Sequence, residues 1–570
     1  MKDNHPKDTS SLNRRSVLLF WMTIAALAIP NIALCVTERM TLTAAVTNVL
    51  LPVAAVWLLM ALSRRPGKVT WFLFPLFFFA AFQLVLLYLF GKSIISVDVF
   101  LNVVTTNPDE ALELLDNLFP AIVIVAVIYI PPLVMATISL RKKDLLTSRF
   151  VTRQRQMALL AVAAGMASLG MSYAADRGYS AKTQLYPLNV GYNLMLAVER
   201  SDATAHYAQT SAAFRFNSVA THPDGRREVY VMVIGETARA GNFSLYGYGR
   251  ETTPFLKRTQ GLVTFTNVLT QSNTTHKSVP MLMSAVSAKD YQRIYREKGI
   301  ITAFKEAGFH TVFISNQRPN HSFIDFFGKE ADEWVFIKEK SGRKDLMPDS
   351  DMLPMVKNVL AKGRQKELLV LHTYGSHFNY RERYTASHAV FKPDNASEAK
   401  WSNRASLVNA YDNSIRNTDS FLHGVISLLD HSGATAAMLY TSDHGENIYD
   451  DHRQLFLHAS PVPSFYELHV PFLIWTSAAY RRSCAPETAA LLANRHKNVS
   501  NSESAFHTML GLAGIETPYR NDCLSVASRQ FTPSAPTYLN DHNEPVPVSK
   551  ILRDREDFIM MKRILQPGNP

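Results

Sequence analysis

The sequence predicts an α-helical membrane domain with five spans, followed by a soluble α/β domain with a mostly parallel central sheet. Two observations support this prediction. Long apolar runs fill the first third of the 570 residues, and beyond them short β-branched runs alternate with helix-length segments. The predicted division is a membrane domain over 1–175, a connector over 176–225 and a soluble domain over 226–570.

Five apolar stretches are long enough to cross a bilayer, which needs roughly 20 residues each. They are Val17–Val36, Leu42–Leu62, Trp71–Phe90, Phe119–Leu140 and Met157–Ala175. The first resembles a secretory signal, because Arg14 and Arg15 precede it. However, it has no small-residue cleavage site, and Leu34 before Cys35 does not fit a lipoprotein-type signal. We therefore interpret it as a retained anchor.

The distribution of positive charge predicts the orientation of these spans. Basic residues cluster between the second and third spans and between the fourth and fifth: Arg64, Arg65, Lys68, Arg141, Lys142, Lys143, Arg149, Arg153 and Arg155. The loop at 91–118 has one Lys and is rich in Asp and Glu. The amino terminus is therefore predicted inside, and five crossings place the chain after about residue 176 outside. In a bacterium with two membranes, this corresponds to an inner-membrane anchor and a periplasmic domain.

Charge and cysteine content exclude some classes of protein. Lys and Arg number 59 against 48 Asp and Glu, a net charge of +11. Much of this charge borders the apolar runs, so a membrane explains it better than a nucleic acid. The three cysteines are too few for a disulfide-dense scaffold or a four-thiolate metal site.

The soluble domain shows the alternation typical of an α/β fold. Predicted strands are Val229–Ile234, Thr311–Ile314, Leu368–His372, Ala436–Thr441 and Val470–Trp475. Helix-length segments such as Ile301–Ala307 and Ser406–Leu429 separate them. In a sheet of this kind, functional residues collect in the loops beyond the carboxyl ends of the strands.

Carboxylate and imidazole side chains follow several of these strands. They are Glu236, His377, Asp443, His444 and His458. Any one of them alone is more often a helix cap or a solvated side chain. Asp443 and His444 are a stronger signal, because adjacent Asp and His at a strand end can reach one ion. The set contains no thiolate and suits zinc, and manganese also fits the ligand types.

A nucleophile is predicted in the segment Gln271–Met283, where hydroxyl residues precede a short apolar run. A helix amino terminus offers free N–H groups and a positive dipole to a phosphate. A hydroxyl placed there beside a metal would be activated for attack on phosphorus. The alternative is that Thr or Ser simply caps the helix.

Several motifs together resemble the bacterial phosphoethanolamine transferases, members of the alkaline phosphatase/sulfatase superfamily that include lipid A-modifying enzymes of polymyxin resistance. The motifs lie at Val233–Arg239 (VIGETAR), Leu245–Pro254 (LYGYGRETTP), Ser278–Pro280 (SVP), Gly375–His377 (GSH), Ala410–Asn413 (AYDN) and Ser442–Glu446 (SDHGE). The five-span anchor fits the same family. The resemblance implies an alkaline phosphatase/sulfatase-type fold for the soluble domain.

The resemblance also implies roles for individual residues. Ligands of one catalytic zinc ion would be Glu236, Thr275, Asp443 and His444. Thr275 would be the nucleophile, chosen over Thr274 because it lies three residues before Ser-Val-Pro. His377 and His458 match histidines that bind the phosphoethanolamine group or a second zinc.

Three residues of the extracytoplasmic loop match family residues that contact the donor headgroup. They are Asn102, Thr106 and Glu110. A structural alternative exists, because Asn107 as N-cap, Pro108 at the first helical position and Glu110 at the third make an ordinary helix start.

The implied reaction transfers phosphoethanolamine from phosphatidylethanolamine to lipid A or another lipopolysaccharide acceptor through a phosphothreonine-type intermediate. Alternatives are transfer to a different surface glycan, glycerol-phosphate transfer, or a non-catalytic membrane scaffold. A sulfatase is disfavoured, because Cys484-Ala485-Pro486 is followed by Glu487-Thr488 and lacks the Arg of the formylglycine motif.

The chain departs from the family pattern in two places. The lipid A enzymes have several disulfides, whereas here only Cys484 and Cys523 could pair outside, and a single bridge is expected. The polymyxin-resistance branch has a Lys in the region that reads Ser315-Asn316-Gln317-Arg318 here. Arg318 and His321 are the candidates to replace it.

Overall fold

The structure is a computed structural model that describes residues 14–91, 94–105, 108–341, 348–396 and 398–565. The chain forms two compact units. The first comprises the chain up to Phe100 together with Leu114–Val198, and the second comprises Leu101–Glu113 together with Glu199 onwards. The boundary at Val198 lies inside the predicted connector, 176–225, and within the helix Leu188–Ala205.

The first unit is helical. Its helices are Arg14–Thr37, Leu42–Met60, Pro66–Phe72, Phe74–Phe90, Val97–Thr105 (which ends in the second unit), Pro108–Arg141, Ser148–Ala175 and Ala181–Gln184. Among the described residues, four helical stretches are long and apolar enough to cross a membrane: Arg14–Thr37, Leu42–Met60, Leu118–Arg141 and Ser148–Ala175.

The predicted third span is a bent pair of helices. Pro66–Phe72 and Phe74–Phe90 meet at an angle of 57°, and only together are they long and apolar enough to cross a membrane. Pro75 lies at the start of the second helix, where the missing N–H of proline prevents one continuous helix. The number of spans is therefore four, or five if the pair is one broken span, and five stays a prediction.

Polar side chains join the long helices of the first unit. Asn31 donates from Nδ2 to the carbonyl of Asn48 at 2.6 Å, and Asn48 donates back to the carbonyl of Asn31 at 3.1 Å. Thr47 is hydrogen-bonded to Ser168 at 2.7 Å. A Cβ at Gly165 would lie 2.9 Å from Leu51 Cα. Small and hydrogen-bonding residues of this kind allow close helix packing where lipid offers no hydrophobic driving force.

A seven-stranded sheet forms the centre of the second unit. Its strands are β1 (Glu228–Gly235), β2 (Leu262–Phe265), β3 (His310–Ser315), β4 (Glu333–Phe336), β5 (Lys366–His372), β6 (Thr435–Ser442) and β7 (Phe472–Thr476), in the order β2-β7-β6-β1-β5-β3-β4. The pairs β6–β1, β1–β5, β5–β3 and β3–β4 are parallel. β7 is antiparallel to both of its neighbours, so the sheet is mixed.

Helices cover both faces of the sheet, and the alternation along β1 shows how. Tyr230, Met232 and Ile234 enter one core together with residues of the helices Thr275–Leu282, Ile300–Glu306 and Asn501–Leu512. Val229, Val231 and Val233 enter the other core with the helices Leu353–Ala361 and Arg404–His431. The continuous apolar run from Val229 to Ile234 is therefore buried on both sides, as expected for a central parallel strand.

The remaining elements are short or peripheral. The helices are Tyr207–Thr210, Phe323–Gly328, Ile337–Ser341, Phe465–Leu468, Ala478–Ser483, Ala485–Asn494, Val548–Ile551 and Arg555–Leu565. The short strand pairs are Val219–Ala220 with Ile515–Glu516, Val268–Leu269 with Val499–Ser500, Asn447–Ile448 with Phe456–Leu457, and Thr537–Leu539 with Pro545–Pro547.

The expected disulfide is absent, because all three cysteines are free. Cys484 is buried, with its Sγ 3.8 Å from Arg226 Nη1. Cys523 is exposed, and its backbone N–H donates to the side chain of Asn521. One thiol is packed in the interior and the other lies on a surface turn, so the predicted pairing of Cys484 with Cys523 is wrong.

A half-buried carboxylate joins the connector to the α/β fold. Glu330 accepts hydrogen bonds from Thr302 at 2.8 Å, from Tyr207 at 3.2 Å and from the backbone N–H of Gly299 at 3.0 Å. Burial raises the pKa of Glu330 to about 7, although these donors lower it.

This raised pKa predicts a pH-dependent stability. Between about pH 4.5 and 7 the folded protein holds a proton on Glu330 that the unfolded chain has lost, so the free energy of unfolding falls as pH rises through this window. We expect the thermal midpoint of the detergent-purified protein to decrease from about pH 5 to pH 8, and E330Q to flatten that decrease. E333Q is the control, because the pKa of Glu333 is lowered, mainly by its hydrogen bond to Lys362. An unchanged slope in E330Q would contradict the prediction.

Candidate active site and metal centre

The candidate site lies at the carboxyl ends of three neighbouring strands. Glu236 follows β1 directly, Asp443 and His444 follow β6, and His377 lies in the loop after β5. Gly235 and Ser442 are register partners on β1 and β6. Each of these two residues is followed by an acid, Glu236 after β1 and Asp443 after β6. The sheet itself therefore places Glu236 beside Asp443.

The hydroxyl of Thr275 lies between a carboxylate and an imidazole. Thr275 Oγ1 is 3.3 Å from Glu236 Oε1 and 3.1 Å from His444 Nε2. His444 Nε2 is also 3.2 Å from Asp443 Oδ2. The structure therefore brings together all four residues predicted to hold the catalytic metal, from three separate parts of the chain.

The position of Thr275 follows from where its helix begins. Thr274 is the N-cap of the helix Thr275–Leu282, with an extended backbone. Its hydroxyl is hydrogen-bonded to Ser272 at 3.0 Å and is buried. Thr275 is the first helical residue and is half-buried, so its hydroxyl, and not that of Thr274, contacts Glu236 and His444.

The two other predicted histidines lie on the same side of the site. The ring of His458 is 4.0 Å from that of His444, and the ring of His377 is 5.9 Å from that of His458, measured between centroids. Glu236, His444 and His458 offer ligand atoms that all lie within 4.8 Å of one another. His458 contacts Glu446 Oε1 through Nδ1 at 3.2 Å.

Burial and close packing shift the pKa values of these groups. Burial raises the pKa of Glu236, and Asp443 raises it further, while His444 and His377 lower it. Burial lowers the pKa of His444, but Asp443 and Glu236 outweigh burial, so that pKa is raised from its ordinary value. Burial, with His444 and His377 beside it, holds the pKa of His458 well below its usual range.

These donors fit a metal ion. Glu236, Asp443 and His444 are almost completely buried, and two carboxylates this close favour a cation between them. His444 Nδ1 lies 2.9 Å from the carbonyl of Gly445. Nδ1 therefore carries the hydrogen, and Nε2 keeps its lone pair for a ligand bond. Oxygen and imidazole donors without thiolate are compatible with zinc.

A buried network holds the loop that precedes Thr275. Asn273 donates to Glu467 Oε1 at 2.7 Å and to the carbonyl of Ser460 at 2.9 Å, and it accepts a hydrogen bond from Tyr538 at 2.6 Å. The carbonyl of Glu467 in turn accepts the N–H of Gly445 at 2.7 Å. The loop that precedes Thr275 and the loop after β6 are thus fixed to one another.

Two residues that contact the carboxylates were not predicted from the sequence. Thr237 donates to both Glu236 and Asp443, and Gln317 donates from Nε2 to Glu236 Oε2 at 3.2 Å. Gln317 follows the carboxyl end of β3, so the strand-end rule would have found it. It belongs to the stretch where the family has a Lys, next to Arg318.

The predicted donor-headgroup residues are described only in part. Asn102 lies in the helix Val97–Thr105. Thr106 and the side chain of Glu110 lie outside the described residues.

Residues 228–515 match the family described as Sulfatase. The chain belongs to the sulfatase family. The match covers the whole of the central sheet and every candidate site residue from Glu236 to His458.

Curated relatives of this sulfatase-family chain are phosphoethanolamine transferases. It is 28% identical to phosphoethanolamine transferase CptA of Salmonella typhimurium over 322 residues, 54% of this chain and 55% of that protein. It is 29% identical to Kdo(2)-lipid A phosphoethanolamine 7''-transferase of Escherichia coli over 311 residues, 52% of this chain and 53% of that protein. The chain thus spans about half the length of these relatives. They confirm the resemblance predicted from the motifs.

Solved structures share the fold. The integral membrane lipooligosaccharide phosphoethanolamine transferase A of Neisseria meningitidis matches with a TM-score of 0.71 at 22% identity, over 90% of this chain and 98% of that one. The periplasmic domain of Escherichia coli EptC in complex with Zn matches with a TM-score of 0.54 at 24% identity, over 60% of this chain and 98% of that one.

A glycine of the sulfatase-family domain gives a direct test of site geometry. Gly375 has φ +52°, and a Cβ there would lie 2.5 Å from the carbonyl oxygen of Glu236. We expect G375A to displace Glu236 and to lower the zinc content of the purified protein and its activity. G363A is the matched control, because Gly363 has φ +64° and nothing within 4 Å of its added Cβ.

Both variants carry the same backbone penalty, on the order of 1 kcal/mol. Only G375A is expected to lose metal, which elemental analysis would measure. Equal metal content in the two variants would show that the loop at Gly375 does not support Glu236.

Proposed function

We propose that the protein is a zinc-dependent phosphoethanolamine transferase that uses phosphatidylethanolamine as donor and lipid A or another lipopolysaccharide as acceptor. The observation that carries the proposal is the Thr275 hydroxyl, placed at a helix start in contact with Glu236 and His444. The curated relatives with phosphoethanolamine transferase names support the choice of group transferred.

In this proposal Glu236, Thr275, Asp443 and His444 hold one catalytic zinc ion, while His377 and His458 bind the phosphoethanolamine group or a second zinc. A bound zinc ion supplies a lowered pKa for the threonine hydroxyl and a positive charge beside the phosphate oxygens. The Zn complex of the E. coli EptC domain and the Glu236–His444–His458 cluster both support zinc.

The first half-reaction uses Thr275 as the nucleophile. Its hydroxyl lies against Glu236 Oε1 and His444 Nε2, two residues of the proposed ligand set, so an ion held there would also contact Oγ1 and the proton would be lost to solvent. Loss of that proton allows Oγ1 to form a bond to phosphorus, while the bond from phosphorus to the diacylglycerol oxygen breaks. The leaving oxygen takes up a proton, and diacylglycerol returns to the bilayer. Phosphoethanolamine stays on Thr275.

The second half-reaction transfers phosphoethanolamine from Thr275 to the acceptor. An acceptor hydroxyl or phosphate oxygen attacks phosphorus, the Thr275–phosphorus bond breaks, and Thr275 regains a proton. In this proposal His377 and His458 would contact the phosphate oxygens. The low pKa of His458 keeps its ring neutral near pH 7, so it serves as a hydrogen-bonding or ligand group and not as a fixed cation.

The membrane helices fit a lipid donor. A donor with two acyl chains is taken from the bilayer, so a membrane anchor keeps the site near its substrate. We place the chain in the inner membrane with the second unit in the periplasm, and assign Asn102, Thr106 and Glu110 to the donor headgroup. We propose no nucleic-acid partner.

Sulfatase chemistry is disfavoured by the position of the one cysteine in a Cys-x-Pro context. Cys484 contacts Arg226, which precedes the amino end of β1. The candidate metal site is at the other end of this eight-residue strand, roughly 25 Å away at about 3.3 Å per residue. Transfer to a different surface glycan and transfer of glycerol phosphate remain the alternatives within this fold.

The proposal predicts a covalent intermediate on Thr275. Incubation of the purified protein with phosphatidylethanolamine should add the mass of one phosphoethanolamine group to the peptide that contains Thr275. T275A should lack this adduct and lose at least about a thousandfold in transfer rate. T274A is the control and should keep the adduct, because the Thr274 hydroxyl bonds only to Ser272 among the described contacts.

A glycerol-phosphate adduct would favour the alternative donor, and an adduct in T275A would overturn the assignment of the nucleophile. Comparing lipopolysaccharide masses from cells with and without the gene identifies the acceptor. An unchanged lipopolysaccharide with an intact adduct would favour another glycan.

The proposed ligand set predicts loss of metal when a carboxylate is removed. D443A and E236A should release the tightly bound zinc, because each leaves a single carboxylate in a buried site. D419A is the control, since it removes another buried carboxylate, which accepts the N–H groups of Phe255 and Leu256 and is not a proposed ligand. Elemental analysis after dialysis against a weak chelator measures the effect, and full zinc content in D443A would contradict the ligand assignment.

A further inference from the structure

Thr237 has a backbone conformation that β-branched residues rarely adopt. It follows Glu236 at the end of β1 with φ 61° and is completely buried. Left-handed conformations are unfavourable for residues with a branched Cβ, and they persist where surrounding contacts require them. The contacts of Thr237 show why its backbone adopts this conformation.

Both hydrogen-bond donors of Thr237 are directed at acidic residues of the candidate metal centre. Its hydroxyl donates to Glu236 Oε1 at 2.7 Å, and its backbone N–H donates to Asp443 Oδ1 at 3.1 Å. One residue therefore binds two carboxylates that come from different strands.

The peptide of Thr237 is itself fixed from the other side. Its carbonyl accepts a hydrogen bond from the hydroxyl of Tyr411 at 2.7 Å, and that hydroxyl also accepts the N–H of Arg239 at 2.9 Å. The N–H of Ala238 donates to Ser442 at 2.8 Å. Three consecutive residues are thus anchored, and Thr237 has no freedom to turn its N–H away from Asp443.

We propose that Thr237 is a positioning residue of the metal centre, which fixes the orientation and separation of Glu236 and Asp443 before the ion binds. The inference rests on the proposed metal role of these two carboxylates. The left-handed backbone conformation directs both donors of Thr237 at the two proposed ligands. This conformation is strained, and the strain is maintained by the surrounding hydrogen bonds.

Three variants separate the hydroxyl from the backbone. T237S keeps the hydroxyl, T237V keeps the shape and the strain but loses the hydroxyl, and T237G loses the hydroxyl and relieves the strain. Zinc affinity is measured by competition with a chromophoric chelator, and the thermal midpoint of the metal-free protein is measured separately.

We expect T237V and T237G to weaken zinc binding by about tenfold, the scale seen for residues that orient metal ligands, and T237S to stay close to wild type. We also expect metal-free T237V and T237G to unfold at or below the wild-type midpoint, because each loses the hydroxyl donor of a buried carboxylate. A merely structural threonine would lower the midpoints of T237V and T237G in the same way but would leave the zinc affinity unchanged.

N217G is the matched control, because Asn217 is an exposed residue with φ 53°. This variant should change neither the zinc affinity nor the metal-free thermal midpoint. Equal zinc affinity in T237V and T237S would overturn the proposal. If T237V and T237G bind zinc more weakly than T237S but no adduct forms on Thr275, the positioning role stands and the proposed transferase function fails. If the wild type binds no zinc, both fail.

Discussion

Two carboxylates buried side by side are the constraint on which the site depends. Glu236 and Asp443 follow register partners on adjacent parallel strands, so the sheet brings them together whether or not their charges repel. Buried like charges are stable only with donors and a cation around them. The donors are supplied by the backbone and side chain of Thr237, the N–H of His444, the hydroxyl of Ser278 and the amide of Gln317.

The loops around the site satisfy this requirement in a specific way. The helix that begins at Thr275 brings Ser278 to Asp443 and the Thr275 hydroxyl to Glu236, one turn apart. The Asn273–Glu467 contact fixes the start of that helix to the loop after β6. The position of Thr275 and the positions of Glu236 and Asp443 are therefore consequences of one connected network.

Much of this organisation was predictable from the sequence. The β-branched runs predicted β1, β3, β5 and β6 to within two residues at each end, because central parallel strands are apolar throughout. The edge strands β2 and β4 were missed, since Leu262–Phe265 and Glu333–Phe336 are too short to stand out from their surroundings. β7 was predicted, but its antiparallel direction was not, because an apolar run carries no information about orientation.

Most residues of the candidate site were also predictable from the sequence. Strand ends and the family resemblance pointed to Glu236, Thr275, Asp443, His444, His377 and His458, which the structure brings into one region. Thr237 and Gln317 were not predicted, because their role lies in hydrogen-bond direction and a positive φ, which depend on tertiary packing. The disulfide prediction failed for a related reason: cysteine count gives no information on which side chains are buried.

The histidine at 458 is supplied differently from the other groups. It follows a two-residue hairpin strand, Phe456–Leu457, and its neighbours Leu457 and Ala459 both have positive φ. Glu236 and Asp443 directly continue strands of the central sheet, whereas this histidine follows a hairpin that lies outside that sheet. The hairpin can therefore change in length or shape while the strands that position the two carboxylates stay intact.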